Sequence, residues 1–249
     1  LQLDLDVVKR QYQEMIAAYE EATFTCHFLE ADGALPYQVY ARDSSVMTPW
    51  GPIITQLKSP WRRGEWRAAL EFYQKQQIPI YDVVTAGSFE GGDYMVLEPG
   101  TILCGYSGDR TSQAGIDQVR GWIESEGWAF VTYQFDPYFL HLDVLFAMLA
   151  PRLAAVCTAA VEDELLRWLR DRGIDVIDIP YQAMVDLEVN VVALGDARVL
   201  LPQSSTLLKE QCRAHGLTVL DPDVSMFTAG GGGVHCMCQA LVRDRVASS

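Results

Sequence analysis

The chain has 249 residues, 49% of them apolar, enough to bury a core as one large domain or two small ones and too many for a disordered chain. Its 19 Lys and Arg against 33 Asp and Glu give a net charge of -14, which opposes nucleic acid and favours a cationic ligand. No apolar run reaches the roughly 18 residues of a membrane span and no charged-then-apolar leader opens the chain, so a cytoplasmic protein with no membrane partner is expected. Residue 1 is Leu rather than Met, which leaves room for a missing leader or first strand.

In chain order, helical periodicity appears over Val7 to Tyr19, Gly64 to Lys75, Ser112 to Glu126, Glu162 to Arg172 and Ser204 to Ala214. Between these helices the short apolar runs predict strands at Gln38 to Ala41, Ile53 to Leu57, Tyr94 to Leu97, Ile102 to Cys104 and Ala129 to Tyr133. Further along they predict Val176 to Ile179, Val189 to Leu194, Val199 to Leu201 and Thr218 to Leu220. Pro99-Gly100 and Gly195-Asp196 are placed to turn two hairpins. Hairpin, helix and strand recur in that order at a spacing of roughly 45 residues, which favours a repeated α/β architecture in a single domain over 1–249.

Cys26, Cys104, Cys157, Cys212, Cys236 and Cys238 are scattered through a chain large enough to fold unstapled, so they are expected to be reduced thiols. Two of them end the stretch GGGGVHCMC, Gly230 to Cys238. A phosphate loop would need Gly-Lys-Ser/Thr entering a helix, which Val-His-Cys does not supply. Cys236-Met-Cys238 is one residue short of CxxC and has no second pair, so no metal is expected. The loop taken alone leaves open a plain turn with a buried cysteine and a glycine-rich bend that lets a ligand approach a thiol.

A reactive thiol needs an acid/base partner. His27 and His215 have no close acidic neighbour, and His235 is expected to point away from Cys236 if the segment is extended. His141 lies two residues from Asp143 in Phe139-Leu-His-Leu-Asp-Val-Leu-Phe, where an extended chain would put both on one face. Asp43 in Tyr40-Ala-Arg-Asp-Ser-Ser and Glu90 with Asp93 in Phe89-Glu-Gly-Gly-Asp-Tyr are two more acidic clusters in apolar surroundings, each by itself readable as a turn cap.

In order, these stretches resemble the guanidino-group-modifying enzymes: the arginine deiminase, dimethylargininase and amidinotransferase (pentein) superfamily. The likeness runs from about Asp43 to the C-terminus; EGGD at Glu90 to Asp93 and HLDVLFAML at His141 to Leu149 are closest to arginine deiminases. It implies a five-bladed α/β propeller of ββαβ units, with Cys236 as nucleophile, His141 as general acid/base, and Asp43, Glu90 and Asp143 gripping a guanidinium. Trp61-Arg-Arg-Gly-Glu and Gly105-Tyr-Ser-Gly-Asp-Arg-Thr are similar to segments that supply arginines to a substrate α-carboxylate, here Arg62 and Arg110. No cofactor is implied; the partner is a small cationic guanidino amino acid, and a homodimer is left open.

Within the superfamily, dimethylargininases typically carry lysine where Asp143 stands, so Asp143 points to an unmethylated or lightly substituted guanidine. Arg42-Asp43 and the GGGGVHC segment are similar to amidinotransferases and agmatine deiminases, yet agmatine lacks a carboxylate for Arg62 and Arg110. Glu90 replaces the aspartate usual in amidinotransferases, and the chain is too short for the helical insertion of many arginine deiminases. The expected activity is hydrolysis of free arginine or a close derivative to citrulline and ammonia, or to ornithine by double hydrolysis. The alternatives are an amidinotransferase, a dimethylarginine dimethylaminohydrolase, and an inactive arginine sensor.

Overall fold

A computed structural model of the protein describes residues 4–243. Along them run α1 (Leu5–Glu21), β1 (Ser45–Thr48), β2 (Gly51–Ile54), α2 (Glu65–Lys75), β3 (Asp82–Val83), β4 (Tyr94–Glu98), β5 (Thr101–Tyr106), α3 (Gln113–Ser125) and β6 (Ala129–Gln134). Then follow β7 (Phe146–Ala150), β8 (Leu153–Val156), α4 (Asp163–Asp171), β9 (Asp175–Asp178), α5 (Tyr181–Val185), β10 (Val192–Gly195), β11 (Arg198–Leu200), α6 (Thr206–Ala214), β12 (Thr218–Leu220) and α7 (Ser225–Thr228).

The strands form four three-stranded sheets, and each follows one rule. Two consecutive strands pair as an antiparallel hairpin, and a helical crossover brings the third strand in parallel to the second. The crossover is needed because parallel strands cannot be joined by a tight turn. The repeated hairpin, helix and strand of the sequence is therefore a ββαβ unit, four times over. The Pro99-Gly100 turn joins β4 to β5 with Gly100 at φ +90°, a backbone conformation that favours glycine.

The five expected helices are all present, with ends shifted by two residues or fewer. The strand expected at Gln38 to Ala41 is instead a turn entering a 3-10 helix at Ala41–Ser44, and the chain starts its sheet at β1. A four-residue alternation is too short to distinguish strand from turn, and pairing with Gly51–Ile54 decides it. The expected strand from Val189 begins only at Val192. Strands β7 and β8 lie in an unbroken apolar run, Leu145 to Val156 around Pro151-Arg152, whose period alone identifies neither helix nor strand.

The chain groups into two compact units, one from Leu29–Leu142 with Met237–Ser249, the other from Leu1–Phe28 with Asp143–Cys236. In the first, Val46 and Ile53 of the β1–β3 sheet and Val84 just after it share a core with Phe89, Ile102, Cys104 and Phe130, closed by Ile116, Val119 and Ile123 of α3. Those three α3 positions recur at helical spacing and are wholly buried, each contributing about 1.5–3 kcal/mol of burial. In the second unit, α1 begins at Asp4, whose carboxylate accepts from the Asp6 and Val7 N–H groups. Its buried Gln11 clamps α7, donating to Ser225 Oγ at 2.8 Å and accepting from Met226 N at 2.9 Å.

Candidate functional site

Each residue of the Glu-Gly-Gly-Asp segment has a steric or electrical reason to be what it is. Phe89 bridges to Gln56, bringing Glu90 to the edge of the β1–β3 sheet. Glu90 is fully buried; its backbone N–H donates to Thr111 Oγ1 at 3.1 Å and its Oε1 accepts from Lys58 N at 2.8 Å. A Cβ on Gly91 would fall 2.1 Å from the Arg42 carbonyl oxygen, and one on Gly92 would fall 2.6 Å from His141 Nδ1. Only glycine lets the 3-10 turn Gly91–Asp93 pass between them. Asp93, also fully buried, accepts from Leu142 N at 2.9 Å and so pins the backbone next to His141.

Around this turn the unit gathers three of the predicted site residues. His141 Nε2 bonds Glu90 Oε2 at 2.8 Å, and its Nδ1 lies 3.7 Å from Asp43 Oδ1. Asp43, on the 3-10 helix Ala41–Ser44, accepts from Gly92 N at 2.9 Å. Burial alone would pull the His141 pKa down, but Asp43, the Glu90 hydrogen bond and the charge of Asp93 push it up to about 10. Burial likewise works to raise Asp43, yet His141 and Arg62 hold its carboxyl below the usual range. A histidine held as a cation between two buried carboxylates is a general acid in waiting. The ligand atoms of Asp43, Glu90 and His141 lie within 4.8 Å of one another, the one such group among the described residues, and their charge suits a cation, be it an ion or a guanidinium.

Arg62 and Arg110 differ in what surrounds them. Arg62 is buried and saturated: Nη1 pairs with Asp43 Oδ2 at 2.7 Å, Nε and Nη2 bond Glu65 at 2.9 and 2.8 Å, and Nη2 also donates to the Tyr40 carbonyl at 3.0 Å. The sequence expectation that Arg62 grips a substrate carboxylate meets a guanidinium already held by two protein carboxylates. Arg110 is half-buried, its Nη1 4.0 Å from Glu90 Oε2 and its Nε 3.7 Å from Asp109. Glu65, raised chiefly by its burial, had no signal in the sequence beyond its place three residues after Arg62.

Asp143 and Cys236 belong to the other unit. His141 to Val144 is not extended as the sequence suggested; Leu142–Val144 forms a 3-10 turn. Asp143 Oδ2 accepts from His235 Nδ1 at 2.8 Å and lies 3.7 Å from the Cys236 sulfur. The strand argument that set His235 aside does not apply, because Val234 to Met237 is a turn and neighbouring side chains there need not diverge. The thiol is buried, its surface 6% exposed. Asn190, which the sequence reading passed over, donates from Nδ2 to Cys236 Sγ at 3.2 Å. Its only signal was a polar residue inside the apolar run Val189-Asn-Val-Val.

The family description "N,N dimethylarginine dimethylhydrolase, eukaryotic" matches residues 5–243. The chain belongs to that family. It is a pentein-superfamily enzyme, a hydrolase of C–N bonds in linear amidines. Among curated relatives, the YkgA protein of Bacillus subtilis is 24% identical over 233 residues, 94% of this chain and 79% of that protein. An arginine deiminase of Listeria welshimeri is 22% identical over 258 residues, 85% of this chain and 63% of that one. The α/β fold is that of a dimethylarginine dimethylaminohydrolase mutant from Pseudomonas aeruginosa complexed with citrulline: TM-score 0.83, 24% identity, 94% of this chain and 88% of that chain. The N-terminal domain of ArgZ, a cyanobacterial arginine dihydrolase, gives TM-score 0.83 at 18% identity over 94% of this chain and 86% of that chain. Among the described residues no helix is long and apolar enough to cross a membrane.

Proposed function

We propose that the protein hydrolyses the guanidino group of free L-arginine or a lightly N-substituted arginine through a covalent Cys236 intermediate. The products are citrulline, or ornithine after a second hydrolysis, with ammonia or an amine. One observation carries the choice of substrate. Asp143 Oδ1 is buried and accepts no hydrogen bond among the described residues, so a buried acceptor is left for an N–H of the substrate. An unmethylated guanidine nitrogen supplies that donor; a dimethylated nitrogen does not.

Glu90 and Asp43 fix the plane of the planar cation through N–H bonds, as carboxylates do for any guanidinium. The Cys236 thiolate attacks the guanidine carbon, forming a C–S bond. The bond to the departing nitrogen breaks as His141 gives that nitrogen its proton. Water then adds to the thiouronium carbon, its proton passes to His141, the C–S bond breaks and the thiolate returns. Arg110, the less engaged of the two arginines, is the better candidate for the substrate α-carboxylate; Arg62 holds Asp43 in place. The five-bladed propeller in a single domain over 1–249 is supported by the four ββαβ units.

Purified protein incubated with L-arginine, N-methylated arginines and agmatine, each without an added amine, separates the readings. Arginine alone is expected to give citrulline or ornithine with ammonia, and Cys236→Ser to abolish turnover while sparing binding. Turnover that needs an amine acceptor, or that is confined to dimethylated arginine, would overturn the substrate assignment; retained activity in Cys236→Ser would overturn the nucleophile.

A further inference from the structure

We infer that Asn190 is a further catalytic residue, whose side-chain N–H bonds the Cys236 sulfur and stabilises it as a thiolate; the inference rests on Cys236 being the nucleophile. Asn190 is fully buried, just ahead of β10, and all four of its side-chain contacts are to chain within its own unit. Its Oδ1 accepts from His235 N at 2.9 Å and from Cys236 N at 3.3 Å. Its Nδ2 donates to Cys236 Sγ at 3.2 Å and to the Asp143 carbonyl at 3.4 Å.

These contacts also fix which way the amide points. Two backbone N–H groups on one side demand an oxygen there, so the NH2 must face the sulfur. Gly233, ahead of the cysteine, has a matching reason. A Cβ on Gly233 would fall 2.5 Å from Asn190 Oδ1, so glycine is what allows the bend to close over the amide. One side chain thereby sets the backbone that carries the thiol and touches the reacting atom.

A donor aimed at sulfur favours the charged form over the neutral thiol, which hydrogen-bonds weakly as an acceptor. When the C–S bond breaks in the second step its electron pair returns to the sulfur, and the same N–H stabilises the thiolate again, so Asn190 serves both halves of the reaction. Two titratable groups share this corner with the thiol: Asp143, with Oδ2 3.7 Å from the sulfur, and His235 on that same oxygen. The Asp143 carboxylate opposes thiolate formation, and a donor on the sulfur offsets it.

The test is the rate of Cys236 alkylation by iodoacetamide, followed by mass spectrometry from about pH 5 to about pH 10 across the ordinary thiol range, for the whole chain and two variants. Asn190→Asp keeps acceptors for the His235 and Cys236 N–H groups and removes the donor; Asn190→Ser removes the donor without adding charge. In both, the thiol's midpoint is expected to rise and alkylation near neutral pH to slow about 10- to 100-fold, the weight of a hydrogen bond to a charged group. kcat should fall in parallel with KM nearly unchanged. An alkylation profile unchanged in a folded variant, or failure of both variants to fold, would overturn the catalytic role and leave Asn190 a structural pin. Turnover surviving in Cys236→Ser would instead remove the premise, so the two failures are told apart.

Discussion

Two arginines that the sequence treats alike have different work. Arg62 lies against Asp43 and Glu65 with almost no exposure, and its charge is held by both. Arg62→Ala takes the ion-pair partner from buried Glu65 and one of two cations from Asp43, and is expected to destabilise the protein by about 3–5 kcal/mol, measured by urea unfolding. Arg110 is partly solvated and contacts Glu90 only at 4.0 Å. Arg110→Ala is expected to change stability by no more than about 0.5 kcal/mol, the usual size for such a position. It should raise KM for arginine by roughly tenfold, one lost charge-assisted contact, while leaving a decarboxylated analogue unaffected. A KM effect equal for both ligands would remove Arg110 from the carboxylate.

At the scale of elements, the site depends on turns more than on strands. Gly91–Asp93 passes between the Arg42 carbonyl and the His141 ring, and Asp93 ties it to Leu142. Gly92→Ala drives a methyl into the imidazole, and the ring must move off Glu90 or the turn must open. A displacement on the order of 1 Å in a catalytic group costs about 100-fold in rate, so kcat is expected to fall by that order while far-ultraviolet circular dichroism stays native. Ser112 connects α3 to the same segment: its Oγ caps the helix at Gly115 N and accepts from Ser88 N, so the helix start and the approach to Glu90 share one hydroxyl. The expected strand at Gln38 to Ala41 failed where this matters, because that stretch leads into the 3-10 helix that carries Asp43.

For the molecule as a whole, His141 links the site to stability. Its pKa is raised to about 10 in the folded chain from an ordinary 6.5, so folding favours the protonated ring. The stability this contributes is fully present below about pH 6.5 and is lost as pH rises through about 10. Urea unfolding at a series of pH values is expected to show stability declining over that window, with His141→Gln showing a shallower decline. An equal slope in the two would mean that the ring is not held as a cation. Asp43 acts in the opposite sense: its lowered pKa gives stability above its ordinary 3.8 that fades as pH falls through the folded value.

The sequence by itself determined the five longest helices, most of the strands and the hairpin at Pro99-Gly100, because helical period and turn chemistry are local properties. His141, Asp143 and Cys236 came forward as candidate site residues through the resemblance of their ordered motifs to the guanidino-modifying enzymes. Only the tertiary structure decided that Leu142–Val144 and Val234 to Met237 are turns, which sets Asp143 against His235 and the thiol. It alone decided that Arg62 is held by Asp43 and Glu65, and that Asn190 reaches Cys236 across 46 residues of sequence. Periodicity records which face of an element is buried; it carries no record of which buried polar group meets which, since that pairing is fixed only when distant segments satisfy one another's hydrogen bonds.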